Sequence, residues 1–280
     1  MRRMPAGRSA IKRVLAELGI GGAATALTLA LCATACAQDF APPAPAGPSE
    51  GASSLIERAL PPAAPAWRLE TIATRWNGID ELSTRSLAAL AGWRSLRAAL
   101  GISSTGDGEI GWNAAALAAG VALPSAGAAL RVIARRDRSA VAGASADRAW
   151  GLEAGAGFWS ALGSRVTLWM SAPSADRRGE APPLERGLES GLRVSSFPLD
   201  AWIALIAPTR ASDPGERVAG VGCVAGAARL WLEARSAPLR GSMGLVLRRG
   251  SLGVAFGADE HPVLGETLRL SLSVGRGADP

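Results

Sequence analysis

"ARLWLEAR", residues 228–235, decides between the fold classes open to this chain. On an extended backbone Leu230, Leu232 and Ala234 fall on one side, and Arg229, Trp231, Glu233 and Arg235 on the other. Side chains alternate across a strand, whereas a helix gathers neighbours at three and four residues, so a period of two is a strand pattern. One face is wholly apolar and the other carries three charges. The same division recurs along the chain. "LRLSLSV" (268–274) sets leucines and Val274 against Arg269, Ser271 and Ser273. "ALRVIARR" sets Leu130, Val132 and Ala134 opposite Arg131, Ile133 and Arg135. "WGLEAGAGF" places Glu153 opposite Trp150, Leu152 and Phe158. "GLESGLRVS" places Glu189, Arg193 and Ser195 opposite Leu188, Leu192 and Val194, and "LDAWIALIA" places Asp200 and Trp202 opposite Leu199, Ile203 and Leu205.

From Trp67 onward such runs predict strands at 67–75, 84–93, 95–104, 111–122, 127–137, 148–158, 165–173, 184–195, 199–208, 216–224, 228–236, 240–248, 250–258 and 265–275. The stretch "RSLAALAGWRSLRAAL" (85–100) also suits a helix by propensity, which would leave twelve strands instead of fourteen. The connections alternate in length. Tight links such as "RS" at 94–95, "FP" at 197–198 and "RG" at 249–250 are interleaved with longer polar ones at 138–148, 172–183, 208–216 and 258–264. Short turns on one side and longer loops on the other, with an even strand number, are the layout of an antiparallel transmembrane-type β-barrel.

A soluble β-sandwich alternates too, but its core faces are built from large apolar side chains. Here many inner positions are Gly, Ala and Ser, and charges fall repeatedly on one face inside the runs, as in a wet lumen. Tyr is absent, and the nine Trp stand in for the interfacial aromatic belt. Trp67, Trp93, Trp112, Trp150 and Trp202 lie near expected strand ends, where an amphipathic ring suits the headgroup level. The expectation is therefore an all-β barrel of about fourteen strands over 67–275, with 276–280 a short tail.

The chain carries 30 Lys and Arg against 24 Asp and Glu. Much of the excess sits in residues 1–37, where Arg2, Arg3, Arg8, Lys12 and Arg13 face only Glu17. The nearly balanced remainder gives no case for nucleic-acid binding, which needs a clustered basic face. A basic start, an apolar run and small residues at Ala35 and Ala37 make residues 1–37 read as a signal peptide cleaved near Gln38. An uncleaved anchor over Leu18–Ala37 is one alternative, and lipid attachment at Cys36 after "ATAC" is another. Residues 38–66, "QDFAPPAPAGPSEGASSLIERALPPAAPA", read as a disordered Pro/Ala-rich linker, with one short helix available in "SSLIERAL".

The last hairpin, "HPVLGETLRLSL", resembles the closing hairpin of the PorV/PorQ-like outer-membrane barrels, relatives of the FadL-type channels. His261, Pro262, Leu264, Gly265 and Thr267 carry the likeness, and Leu268 departs from it where the family commonly has a histidine. "STGDGEIGWNAAALAAGVAL" (104–123) is similar to that family's Gly-containing loop before the regular barrel strands. The resemblance implies residence in the outer membrane of a Gram-negative-type cell, contact with its lipid, and either passage of small hydrophobic solutes or a shuttle role with secretion-machinery proteins. An exported periplasmic or surface β-rich binding protein is the alternative.

His261 is the only histidine, and its place before Pro262 suits a turn better than a Ser–His hydrolase. An outer-membrane esterase or phospholipase is thus the weaker reading, and no catalytic residue, metal site or cofactor is expected. One histidine and one mature cysteine, Cys223, offer no metal-ligand spacing. The candidate lumen residues are Arg131, Arg135, Glu153, Glu189, Arg193, Arg229, Glu233, Arg235 and Arg269. They form either a solute-selecting constriction or an ion-paired interior that fills a narrow barrel.

Overall fold

The computed structural model describes residues 46–49, 51–63, 67–76, 79–106, 110–139, 149–179, 187–207, 215–236, 239–261 and 265–276. The signal peptide, the start of the linker, Pro262, Leu264 and the tail after Arg276 lie outside them. Alternating sequence becomes strand throughout: β1 (Trp67–Trp76), β2 (Ile79–Trp93), β3 (Leu96–Gly106), β4 (Ile110–Ala122), β5 (Ala126–Ser139), β6 (Trp150–Leu162) and β7 (Val166–Gly179). They are followed by β8 (Glu189–Ser196), β9 (Leu199–Ile206), β10 (Glu216–Ala225), β11 (Ala228–Ser236), β12 (Leu239–Arg249), β13 (Leu252–His261) and β14 (Gly265–Arg276).

Each strand pairs antiparallel with its sequence neighbours, and β1 pairs with β14 from Trp67↔Arg276 to Arg75↔Leu268, closing a fourteen-stranded barrel with no sheet edge. The stretch 85–100 is a hairpin of β2 and β3, not a helix, because Ala88, Leu90 and Ala99 turn inward while Ala89, Ala91 and Leu100 turn outward. The tight links at residues 94–95, 123–125, 163–165, 197–198, 226–227 and 250–251 all lie at the end where β1 begins and β14 finishes. Several strands run further into the opposite loops than hydropathy suggested. β7 continues to Gly179 and β13 to His261, since backbone pairing persists where the apolar alternation has stopped.

The outer wall is apolar. Leu100, Leu130, Ile203, Leu205, Leu230 and Leu232 are among its exposed large side chains, with Leu130 68% exposed. Trp67 and Trp93 at the short-turn end and Trp150 at the long-loop end also face outward. Trp112 and Trp202 correct the sequence reading, for both are on inward faces and Trp202 is only 2% exposed. Position near a strand end misled there; the strand's phase, which puts Trp202 on the side of Asp200, was the better guide.

A second correction concerns residues 38–66. The described part, 46–49 and 51–63, occupies the barrel interior and includes a helix, α1 (Ala52–Arg58). Composition shows that this segment cannot bury enough surface by itself. The barrel supplies the missing surface.

Candidate functional site

The interior segment meets two different walls. Helix α1 lays Ala52, Leu55 and Ile56 against Ala88, Leu90, Ala99, Ala114, Ala116, Ala118, Ala129 and Ile133, all buried. The apolar patch of β2–β5 that meets the helix is thus mostly alanine, which leaves the radius a helix needs. Gly157 serves the same end: a Cβ there would come within 2.8 Å of the carbonyl oxygens of Arg58 and Ala59. At the helix end Ala59 takes a left-handed conformation (φ 51°), and Ser171 donates its hydroxyl to the Arg58 carbonyl. Arg131 on β5, fully enclosed, donates to the Ile56 carbonyl (2.9 Å) and through Nε to the Pro173 carbonyl (2.7 Å).

The other wall, β7–β11, holds the start of the segment by polar contacts and by a buried apolar cluster that joins Ala46 to Trp169, Trp202, Val218 and Trp231. The Ala46 amide donates to Glu233 (3.0 Å) and the Gly47 amide to Glu189 (3.2 Å). Each of these carboxylates also accepts an indole N–H, Glu233 from Trp202 (2.9 Å) and Glu189 from Trp169 (2.8 Å). Arg58 of α1 pairs with Glu189 at 3.7 Å and donates to the Gly47 carbonyl at 2.8 Å. Arg193 donates to the carbonyls of Ala46 and Pro48. Where the segment approaches the short-turn end, Trp159 donates to the Pro61 carbonyl (2.8 Å), and Arg97 donates to the carbonyls of Pro62 (3.1 Å) and Ala63 (3.0 Å).

Four of the inward-facing indoles each lie across a glycine directly opposite on the next strand. The pairs are Trp159 with Gly127, Trp169 with Gly191, Trp202 with Gly220 and Trp231 with Gly244. A Cβ on the glycine would stand 2.7 Å from Trp159 Cε2, 2.7 Å from Trp169 Cε2, 2.6 Å from Trp202 Nε1 and 2.5 Å from Trp231 Cζ2. The missing side chain lets the ring lie flat on the wall instead of projecting into the lumen, a form of aromatic cover for strand glycines. Three of the four indole N–H groups are thereby aimed at the interior segment or at a carboxylate that holds it.

All nine candidate lumen residues are on inward faces. Arg131, Glu189, Arg193 and Glu233 touch the interior segment directly. Glu153 lies 3.9 Å from Arg131 and accepts from the Ser174 hydroxyl; β7 separates its strand from that of Arg193, with which its sequence position had suggested a pair. Arg135 bonds Asp137, Arg229 bonds Asp200, and Arg269 lies 3.2 Å from Asp259. Arg235 bridges Glu233 (2.8 Å) and Glu216 (3.4 Å), and Glu216 also takes Arg240 at 2.8 Å. Asp200, Glu216, Asp259, Arg97, Trp159, Trp169 and Trp231 were not among the expected lumen residues, and Trp202 was expected in the outer belt, though inward phase marks them all. In the closing hairpin, His261 ends β13 opposite Gly265, and Thr267 is buried on an inward face. Among the described residues no group of three or more His, Cys, Asp or Glu could hold a metal ion.

No protein-family model matches the chain. No curated protein matches it either. Solved structures similar to it include an outer membrane protein of Acinetobacter baumannii, Omp33 (6% identity, TM-score 0.47, 76% of this chain and 98% of that one). A Rhodopseudomonas blastica porin variant (6% identity, TM-score 0.41, 76% and 99%) and the KdgM porin (4% identity, TM-score 0.40, 74% and 98%) are also similar.

Proposed function

We propose that this chain is a non-enzymatic, transport-type β-barrel of the outer membrane of a Gram-negative-type cell, held closed by its own residues 46–63. The apolar outer wall supports lipid as its surroundings, and the closed sheet leaves no backbone edge unsatisfied there. The observation that carries the transport reading is how the interior segment is held. Between its apolar contacts, with β2–β5 on one side and with the cluster of Trp159, Trp169, Trp202 and Trp231 on the other, it is tied by hydrogen bonds and ion pairs to Arg97, Arg131, Glu189, Arg193 and Glu233. Water can replace such ties when the segment shifts, which a continuous apolar core does not permit.

The charged wall from β8 to β14 favours polar solutes over the small hydrophobic ones that the PorV/FadL-like resemblance implies. The shuttle role with secretion-machinery proteins is the second reading, favoured by the filled lumen. The test is solute flux into vesicles reconstituted with the intact chain and with a chain lacking residues 46–63. The shortened barrel should admit small sugars and ions that the intact one excludes. Equal tightness of both, with the shortened barrel showing heat-modifiable migration as proof of folding, sinks the channel reading and leaves the shuttle.

A further inference from the structure

The outer wall of β9–β14 carries a recess of about 1080 Å³. Ala219 of β10, Ala234 of β11 and Gly241 of β12 form its floor, and Val221, Leu232 and Met243 border it toward the short turns. Register makes the floor. Ala219 stands opposite Ala234, and Ala234 opposite Gly241, so three consecutive strands present no more than a methyl group in one row. A Cβ on Gly241 would meet nothing within 4 Å, so the recess is open to what lies outside the barrel.

The same row continues into charge. Gly241 stands opposite Glu260 of β13, and Glu260 opposite Glu266 of β14. Both carboxylates are exposed on the outward face at the long-loop end, and like charges placed directly opposite repel. On the other flank of the recess, at the same end of the barrel, the exposed Arg217 of β10 also points outward. Among the described residues, no side-chain hydrogen bond or ion pair reaches Arg217, Glu260 or Glu266. Arg217 and Glu260 lie three strands apart, roughly 14 Å at the spacing of a sheet, on a wall that curves away between them. A single chain therefore does not join them. The neighbouring links leave the sign of each flank as it is: residues 208–214 hold one Arg and one Asp, and residues 262–264 hold no charge.

A face that is positive on one flank, negative on the other and hollow between them fits a copy of itself turned by half a rotation. We infer that two copies of this chain meet here, about a two-fold axis along the membrane normal that passes the row of Ala219, Ala234 and Gly241. The rotation brings Arg217 of each copy to Glu260 and Glu266 of the other, the reciprocal contact of an isologous dimer. The shallow floor lets the two walls approach closely, which is what association within lipid requires, and the incoming guanidinium relieves the repulsion between the two carboxylates. An anionic lipid headgroup fits the recess less well, because it would face those carboxylates itself.

The dimer goes beyond the transport reading and does not depend on whether the lumen conducts, so its failure leaves the flux experiment untouched. Folded full-length protein in a neutral, density-matched detergent is examined by sedimentation equilibrium. Expected is the mass of two chains, with association weakened about tenfold or more in R217E and in E260R/E266R, since each variant sets like charges against each other. The triple variant R217E/E260R/E266R exchanges the flanks and should associate again. R178E, an exposed charge on β7 away from this face, should associate like the parent. Three results overturn the proposal, each with heat-modifiable migration retained: a single-chain or three-chain mass for the intact protein, undiminished association of R217E and E260R/E266R, or a triple variant that stays monomeric. A single-chain mass with bound phospholipid identifies lipid as the occupant instead.

Discussion

Replacing Gly220 by valine tests the glycine–tryptophan pairing and the hold on the interior segment together. The new Cβ stands 2.6 Å from Trp202 Nε1, so the indole must leave the wall. Trp202 is 2% exposed and donates to Glu233 at 2.9 Å; Glu233 also accepts from the Ala46 amide. Overpacking in a tight interior costs about 1–3 kcal/mol. Losing a hydrogen bond to a charged acceptor adds about 1.5–3 kcal/mol, giving a total of roughly 2.5–6 kcal/mol if nothing relaxes. Gly241 is the control: a Cβ there meets nothing within 4 Å, so G241A should stay within about 0.5 kcal/mol of the parent. The assay is urea unfolding of detergent-folded protein followed by tryptophan emission, with limited proteolysis reporting on residues 46–63. G220V should lower the midpoint and expose the segment to cleavage while leaving barrel circular dichroism intact. Equal midpoints for G220V and G241A, with the segment still protected, would refute the pairing as a structural device.

Three further outcomes are expected. L130R places a charge on the outer wall where the native side chain is 68% exposed; it should reduce folding into lipid vesicles by about 2–4 kcal/mol if that wall meets lipid, and hardly at all if it meets water. R131M removes one member of a buried pair with Glu153 and should cost about 3–5 kcal/mol by chemical denaturation, with R131M/E153Q closer to the parent than R131M alone. R97M removes the donor to the Pro62 and Ala63 carbonyls, so protease should cut between residues 61 and 66 sooner while the barrel keeps its heat-modifiable migration.

The wall of the barrel was legible because a strand has only two faces, and the charged face of "ARLWLEAR" becomes the inner face of β11 without exception. What surrounds that face was not. Alternation gives the side of Trp202 but not the register that puts it opposite Gly220, so neither the indole's flat pose nor its bond to Glu233 could be read from the chain. The interior segment was missed for a related reason. Leu55 and Ile56 are too few to order a free peptide, and only the alanine surface assembled from four separate strands makes their burial worthwhile. Charge partners suffered likewise: Arg193 meets Asp200 from the neighbouring β9, a choice set by register rather than by sequence spacing.

The seam between β1 and β14 joins the two ends of the chain's sheet around a segment that precedes both in sequence. Closing that seam is therefore also an act of enclosure. Once the last hydrogen bonds of Trp67↔Arg276 to Arg75↔Leu268 have formed, residues 46–63 have no sideways exit through the wall. They can travel only along the barrel axis, drawn by the chain on either side of them. The closed wall thus fixes the direction of any later movement of the segment.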